Sequence, residues 1–437
     1  MTQPVPAAPT SAPAPGGAGA RLAAAGAPPF RLPGEHFTVA LIFWVLGALG
    51  LVWVAPDLAR GAFSLPRVAA VTHLFTLGWI TTSILGALYQ FLPVALRVPI
   101  RSQRLAHLTL LLYAPGLLLF VAALAGGMQR PMLAGVALFA VGLLLFLGNL
   151  AATLARAPER NLTWWALVGA AAFLLVTVVL GASLAGNLRW NYLGADRFLA
   201  LGVHLHVALF GWVLLVMVGV AQRLLPMFLL SHGAREWPAR LALTLLAGGV
   251  ALLVALHHAL TPALVAGIAI LIGAGVLAFV AQAALFFRHK KKPTLDAGLR
   301  LAATGLGFLL LGMALAPAVL VQGLAAPRLA TAYGTALVLG AVSLFVAGHY
   351  YKIVPFLVWY HRFGMLVGKR PVPRVADLYA PTPANLAAAL LGGGALGLVA
   401  GTLAGTPALA RVAALVFALG AGVVAAQMYT ISRQRPT

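Results

Sequence analysis

Twelve apolar runs punctuate the chain, separated by short segments rich in charge, proline and glycine. They centre near residues 45, 80, 116, 143, 174, 213, 249, 274, 310, 342, 393 and 419. Each has the roughly 20 apolar residues that a helix needs to cross a bilayer. The pattern therefore predicts an all-α fold, a polytopic bundle of 12 transmembrane helices spanning residues 35–432. Residues 1–34, rich in Pro, Ala and Gly and without an acidic residue until Glu35, read as a disordered tail. No cleavable leader is expected before the first span.

Within this pattern a motif recurs. His73-Leu-Phe-Thr-Leu-Gly78-Trp79 in the second span matches His206-Val-Ala-Leu-Phe-Gly211-Trp212 in the sixth. In both, a proline (Pro93, Pro226) follows 20 residues after the histidine. The tenth span keeps the frame without the histidine: Gly340 precedes Pro355 by 15 residues, as Gly78 precedes Pro93 and Gly211 precedes Pro226. Three copies of one helix predict a pseudo-threefold bundle. In the third copy Tyr333 and Thr335 stand where the sixth span has His204 and His206.

Composition agrees with the membrane reading. The chain is 62% hydrophobic and 8% charged, against roughly a quarter charged in soluble domains. The net charge of +22 suggests nucleic acid until its distribution is considered. With both termini cytoplasmic, only Arg60, Arg67, Arg130, Arg189, Arg197, Arg328 and Arg411 of the 29 Lys and Arg fall outside. That is the positive-inside bias of a bacterial inner (cytoplasmic) membrane protein, so the charge reports topology and lipid contact rather than a nucleic-acid partner. Cysteine is absent, which removes disulfides, thiolate metal sites and Cys-anchored haem. Any metal here must use imidazole.

In this topology five histidines gather in the outer third of the membrane: His73, His204 and His206 early in the second and sixth spans, His257 and His258 at the end of the seventh. The other six (His36, His107, His232, His289, His349, His361) fall near the inner face. A single intramembrane histidine commonly just bonds a carbonyl. Five at one depth point instead to a metal or haem site. His204 and His206 lie about 200° apart around a helix and face different neighbours. Asn187, Asn191, Tyr192 and Asp196, entering the sixth span, are candidates to orient the imidazoles, with Trp190 and Tyr192 equally suited to anchor the interface. At the inner ends, Tyr89-Gln90, Gln222-Arg223 and His349-Tyr-Tyr-Lys352 form a second polar constellation.

These features resemble subunit I of the haem–copper oxidase superfamily and, more loosely, the NnrS-type membrane proteins related to it. The resemblance covers nearly the whole chain. It implies that His73 is a haem ligand, that His204 or His206 and the pair His257-His258 hold copper, and that Tyr333 lies in a haem-ligating position. The cofactors expected are haem b and/or copper, with His73, His206 and Tyr333 facing cofactor and His204, His206, His257 and His258 facing metal. The departures narrow the function. The family's His-x-His of the tenth span is replaced, and His349, 14 residues beyond Thr335, lies about 20 Å deeper. Ala208 and Phe210 stand where a tyrosine would serve dioxygen reduction. The seven acidic residues are expected in tails or loops, so no carboxylate relay crosses the bilayer. The expectation is a non-pumping relative, not itself an enzyme, in respiratory redox, nitric oxide metabolism or metal handling. Its partners would be the bilayer and an electron donor or respiratory assembly partner. The alternatives are a metal-ion transporter on the same scaffold and a small-gas (O2/NO) reductase.

Overall fold

The computed structural model describes residues 29–436. Its twelve long helices are α1 (Arg31–Ala59), α2 (Pro66–Ala95), α3 (Gln103–Ala125), α4 (Gln129–Leu154), α5 (Leu162–Trp190) and α6 (Gly194–Leu229), then α7 (Trp237–Ala255), α8 (Pro262–Arg288), α9 (Ala297–Gln322), α10 (Pro327–Arg362), α11 (Pro381–Leu403) and α12 (Pro407–Arg433). Each is long and apolar enough to cross a membrane, and no strand occurs among the described residues. Each predicted centre falls in a different helix. The predicted tail lies outside the described residues as far as residue 28. Its last residues, Arg31–Gly34, instead open α1, because Arg31 pairs with Glu35 one turn on. The chain is thus an all-helical, multi-pass membrane protein.

Loop composition explains where the helices begin. Proline occupies the first turn of α2, α7, α8, α10, α11 and α12, where its missing N–H costs nothing. Ser102, Asn161, Thr261 and Asp296 accept from the first-turn amides of α3, α5, α8 and α9.

With twelve spans, Arg31 and Arg433 lie on one face of the bundle, here called the terminal face. The seven arginines predicted to face outward all lie at helix ends on the opposite face. Two acidic residues depart from expectation: Glu35 and Asp57 lie inside α1, near its ends, rather than in a tail or loop. Each is paired there, Glu35 with Arg31 and His107, Asp57 with Arg67 and Arg60.

Helices α2, α6 and α10 form the centre. Their most apolar stretches are 67–72% buried, against 22–44% in the other nine helices. Around them pack the hairpins α3–α4, α7–α8 and α11–α12, and α12 returns against α1 to close the ring. Lipid tails are as apolar as leucine, so hydrophobicity cannot choose the central helices; close packing through small residues can. Gly78 faces Phe43 of α1, Gly211 faces Phe173 of α5, and Gly340 faces Phe308 of α9. Eight residues on, Gly86, Gly219 and Gly348 face His36, Ala166 and Leu301, each seven residues before the phenylalanine of its own repeat. The threefold repeat therefore extends to the helix preceding each central one.

Each central helix also carries a π-helical stretch: Leu74–Thr81, Val207–Leu214 and Ala336–Val342. Each begins immediately after an equivalent residue, His73, His206 or Thr335. Such wide turns are rare and recur at functional sites. Side chains bond the backbone around them: Thr82 and Tyr113 donate to the Leu77 carbonyl, and Ser343 to that of Val338. Below, the central helices touch through polar and aromatic groups. Trp212 Nε1 donates to Thr81 Oγ1 at 3.3 Å, the hydroxyls of Ser83 and Tyr350 lie 2.8 Å apart, and Tyr350 packs on Trp79, itself stacked on Trp44.

Candidate functional site

The last α-turn before each π-stretch positions the candidate ligands. His73 Nδ1 donates to the Ala69 carbonyl and His206 Nδ1 to that of Gly202, both at 2.7 Å. The carbonyl four residues back thus fixes ring and tautomer, leaving Nε2 as the free acceptor. This is the role the sequence offered to the loop before α6. That loop uses its polar groups on itself: Asn187 Oδ1 accepts from the Leu193 amide, and Tyr192 bonds Ser183. Asn191 closes α5 in the left-handed conformation. Trp190 and Tyr192 are exposed, as interface anchors are.

His204 and His206 face different neighbours. His204 lies within electrostatic reach of His73 on α2 and packs over Gly181 of α5, where a Cβ would come within 3.0 Å of its Cε1. Its Nδ1 is buried without a hydrogen-bond partner. His206 turns the other way: its ring lies nearly parallel to that of Tyr333 on α10, centroids 6.3 Å apart, with Phe210 on its own helix beside it. The two junctions obey one rule. The residue two before the π-stretch position on one central helix is turned toward that position on the preceding repeat, Tyr333 stacking on His206 and His204 lying within electrostatic reach of His73. The third pair by this register, Val71 and Thr335, carries no imidazole. Beside Phe210 an entirely apolar crevice, lined by Leu209, Phe210, Met217, Leu309, Leu337 and Ala341, is no larger than a single water molecule.

His257 and His258 form a short 3-10 turn at the end of α7, their rings in contact with centroids 3.5 Å apart. His257 Nδ1 donates to the Val254 carbonyl, and His258 is exposed. Among the described residues no group of three or more His, Cys, Asp or Glu gathers around a point that could hold a metal ion. The set His204, His206, His257 and His258 is therefore not brought together: His257 and His258 touch only each other, while His204 lies within electrostatic reach of His73. The latter pair of donors fits a two-coordinate soft ion such as Cu(I), which imidazole suits. The crevice by Phe210 is far smaller than the several hundred Å3 of a cofactor pocket, so on that side a macrocycle does not fit.

At the terminal face His349 is buried against Phe228 and Phe345, its Nδ1 donating to the Phe345 carbonyl and its Nε2 unpartnered. One turn further, Lys352 pairs with Asp296, which Lys292 also holds while Asp296 caps α9. Lys352 is thus tied into an ion pair rather than free to snorkel. Burial pushes the Asp296 carboxyl up, but the hydrogen bonds from Lys292 and Lys352 outweigh it and hold its pKa below the ordinary value. A lowered folded-state pKa stabilises above the unfolded value, about 3.9 for Asp, and that stability disappears as pH falls through the folded value. The thermal midpoint in detergent is therefore expected to drop on acidification below about pH 4. Asp296→Asn, which keeps the cap, should lower the midpoint at neutral pH and flatten that acid limb. An unchanged acid limb would remove the ion pair from this account.

Compared with known protein families and with curated proteins, the chain matches none.

Proposed function

We propose that this protein is a metal-binding relative of the haem–copper oxidase core, carrying copper or haem in the half of the membrane opposite its termini. It serves redox, nitric oxide or metal-handling chemistry without pumping protons. The observation that carries the reading is the junction of α2 and α6. Two intramembrane histidines of neighbouring helices come within electrostatic reach there, one ring fixed by a carbonyl and the other with a buried nitrogen that makes no well-formed hydrogen bond. A buried polar atom without a partner costs about 1–3 kcal/mol, and a bound metal ion relieves that cost. The site carries no carboxylate, so it stays cationic and favours Cu(I) over Zn(II). When bound, the metal supplies one-electron chemistry, or simply storage and delivery of the ion. The chain's own groups bind and orient it: His73 and His204 directly, the Ala69 carbonyl through His73. His206 with Tyr333 is the equivalent position for a second ion. We place the arginine-poor terminal-opposite face outside and the basic terminal face in the cytoplasm of a bacterium, with an electron donor or assembly partner supplying the site.

The test is an optical spectrum of the purified protein, oxidised and dithionite-reduced, with metal analysis of the same sample. Copper near one per chain without a Soret band is the expected result. A Soret band with reducible α-bands would make haem the resident group. Protein free of both after expression in copper-supplemented medium would overturn the proposal.

A further inference from the structure

The first repeat carries a buried histidine, within a polar cluster, where its two copies have aliphatic residues. Each of its four helices contributes one residue: His36 from α1, Tyr89 from α2, Thr109 from α3 and Asn149 from α4. All are at most 2% exposed. At the position of His36 the second and third repeats have Ala166 and Leu301, so the fold does not demand a polar group there. His36 sits directly over Gly86, where a Cβ would approach its own Cβ to 2.6 Å. Its Nδ1 donates to the Leu32 carbonyl at 2.9 Å, so Nε2 is an acceptor aimed inward. The Tyr89 ring lies edge-on to it, centroids 5.2 Å apart.

The groups nearly meet yet do not bond. His36 Nε2, the Tyr89 hydroxyl and Thr109 Oγ1 are all buried without a hydrogen-bond partner, although the Tyr89 hydroxyl faces both Thr109 and Asn149. Asn149 is held by two bonds to the Ser102 backbone, so it cannot turn to close the gap. Three orphaned atoms on side chains that pack together, His36 on Tyr89 and Tyr89 against Thr109, suit a buried water, with its two to four polar partners. The cluster has a mouth. Glu35 precedes His36 and accepts from His107 Nδ1 of α3 at 2.7 Å, both part-exposed at the terminal face.

We propose that this cluster is a hydrated proton-exchange site opening to the terminal face, with His36 as the group that takes the proton. Water bridges His36 Nε2, Tyr89 Oη and Thr109 Oγ1. A proton arriving past Glu35 and His107 breaks an O–H bond of hydronium and forms N–H at Nε2, while Nδ1–H stays on the Leu32 carbonyl. Release to water reverses the step. The charged and titratable groups around His36 are Glu35 and Arg31 of α1, Tyr89 of α2 and His107 of α3; α4 offers the neutral Asn149. The site does not depend on any metal in the other half of the membrane.

Solid-state NMR of the full chain, labelled with 15N-histidine in liposomes, tests this by transfer of magnetisation from water to each imidazole. His36→Phe identifies the His36 signal by its loss. Transfer from water to His36 is expected despite its complete burial. It should disappear in the double variant Tyr89→Phe, Thr109→Val, which keeps volume and removes both hydroxyls. No transfer to His36 in the unaltered protein would overturn the proposal. Transfer that persists in the double variant would overturn it too, since water would then reach His36 by another route.

Discussion

Alanine at Gly348 is expected to cost about 3 kcal/mol or more, while alanine at Gly307 costs nothing. The added Cβ at 348 would lie 2.8 Å from the Ala302 amide nitrogen and closer still to the Gly298 carbonyl oxygen. Both are backbone atoms of α9, so no rotamer relieves the clash and the helices must separate. Separation is opposed eight residues away, where Gly340 seats Phe308. The conflict also runs in reverse, because a Cβ at Gly298 would strike the Gly348 carbonyl. Gly340→Ala should also be severe, since the added Cβ would lie 2.8 Å from Phe308 Cβ, which no rotamer moves. At Gly307 a Cβ meets nothing within 4 Å, and the gain in helix propensity over glycine makes it neutral or slightly stabilising. Against a total stability of about 5–15 kcal/mol, the thermal midpoint in detergent is expected to be highest for Gly307→Ala and far lower for both Gly340→Ala and Gly348→Ala. Equal midpoints for the first and last would mean that α9 and α10 are not locked by backbone contact.

Those glycines show how far the sequence could be read. Gly78, Gly211 and Gly340 announced the threefold repeat through their fixed distance to a proline, and the helices confirm the frame residue by residue. The opposing Phe43, Phe173 and Phe308 carry the same repeat, but on helices whose loops differ in length, so no fixed offset links each to its glycine. The wide turns after His73, His206 and Thr335 were not legible. A π-turn has no composition of its own, and an apolar run reads alike in either winding. It nevertheless shifts the register of everything beyond it. The tail's composition hides the start of α1, so the sequence places Glu35 in a tail and His36 only near the inner face. Depth along a span was sound for the histidines of α2 and α6, since it needs only the helical rise. Partnership across helices was not, because it depends on rotation about each axis. The sequence could therefore say that His204 and His206 diverge, but not that His204 turns to His73 and His206 to Tyr333.

That rotation decides the second large effect. His204→Phe or His73→Phe is expected to reduce bound copper to background, whereas His257→Ala and His258→Ala leave it intact. A site with only two protein ligands has no reserve: losing one leaves a single imidazole, which cannot compete with buffer and water for the ion. Removing a group that merely orients a metal ligand costs about 10- to 100-fold in affinity, and removal of a ligand itself should exceed this. Phenylalanine fills the ring volume, and His204 lies over Gly181 with no larger side chain to collide with, so packing should survive. The metal-free thermal midpoint checks that it has. His206→Phe separates two forms of the reading. It should spare copper held by His73 and His204, and lower the copper content only if a second ion sits at the equivalent junction beside Tyr333. Copper retained in both His73→Phe and His204→Phe and lost in His257→Ala or His258→Ala would move the ion to the end of α7. The two rings already in contact there would then have to part around the ion and recruit a donor from α6.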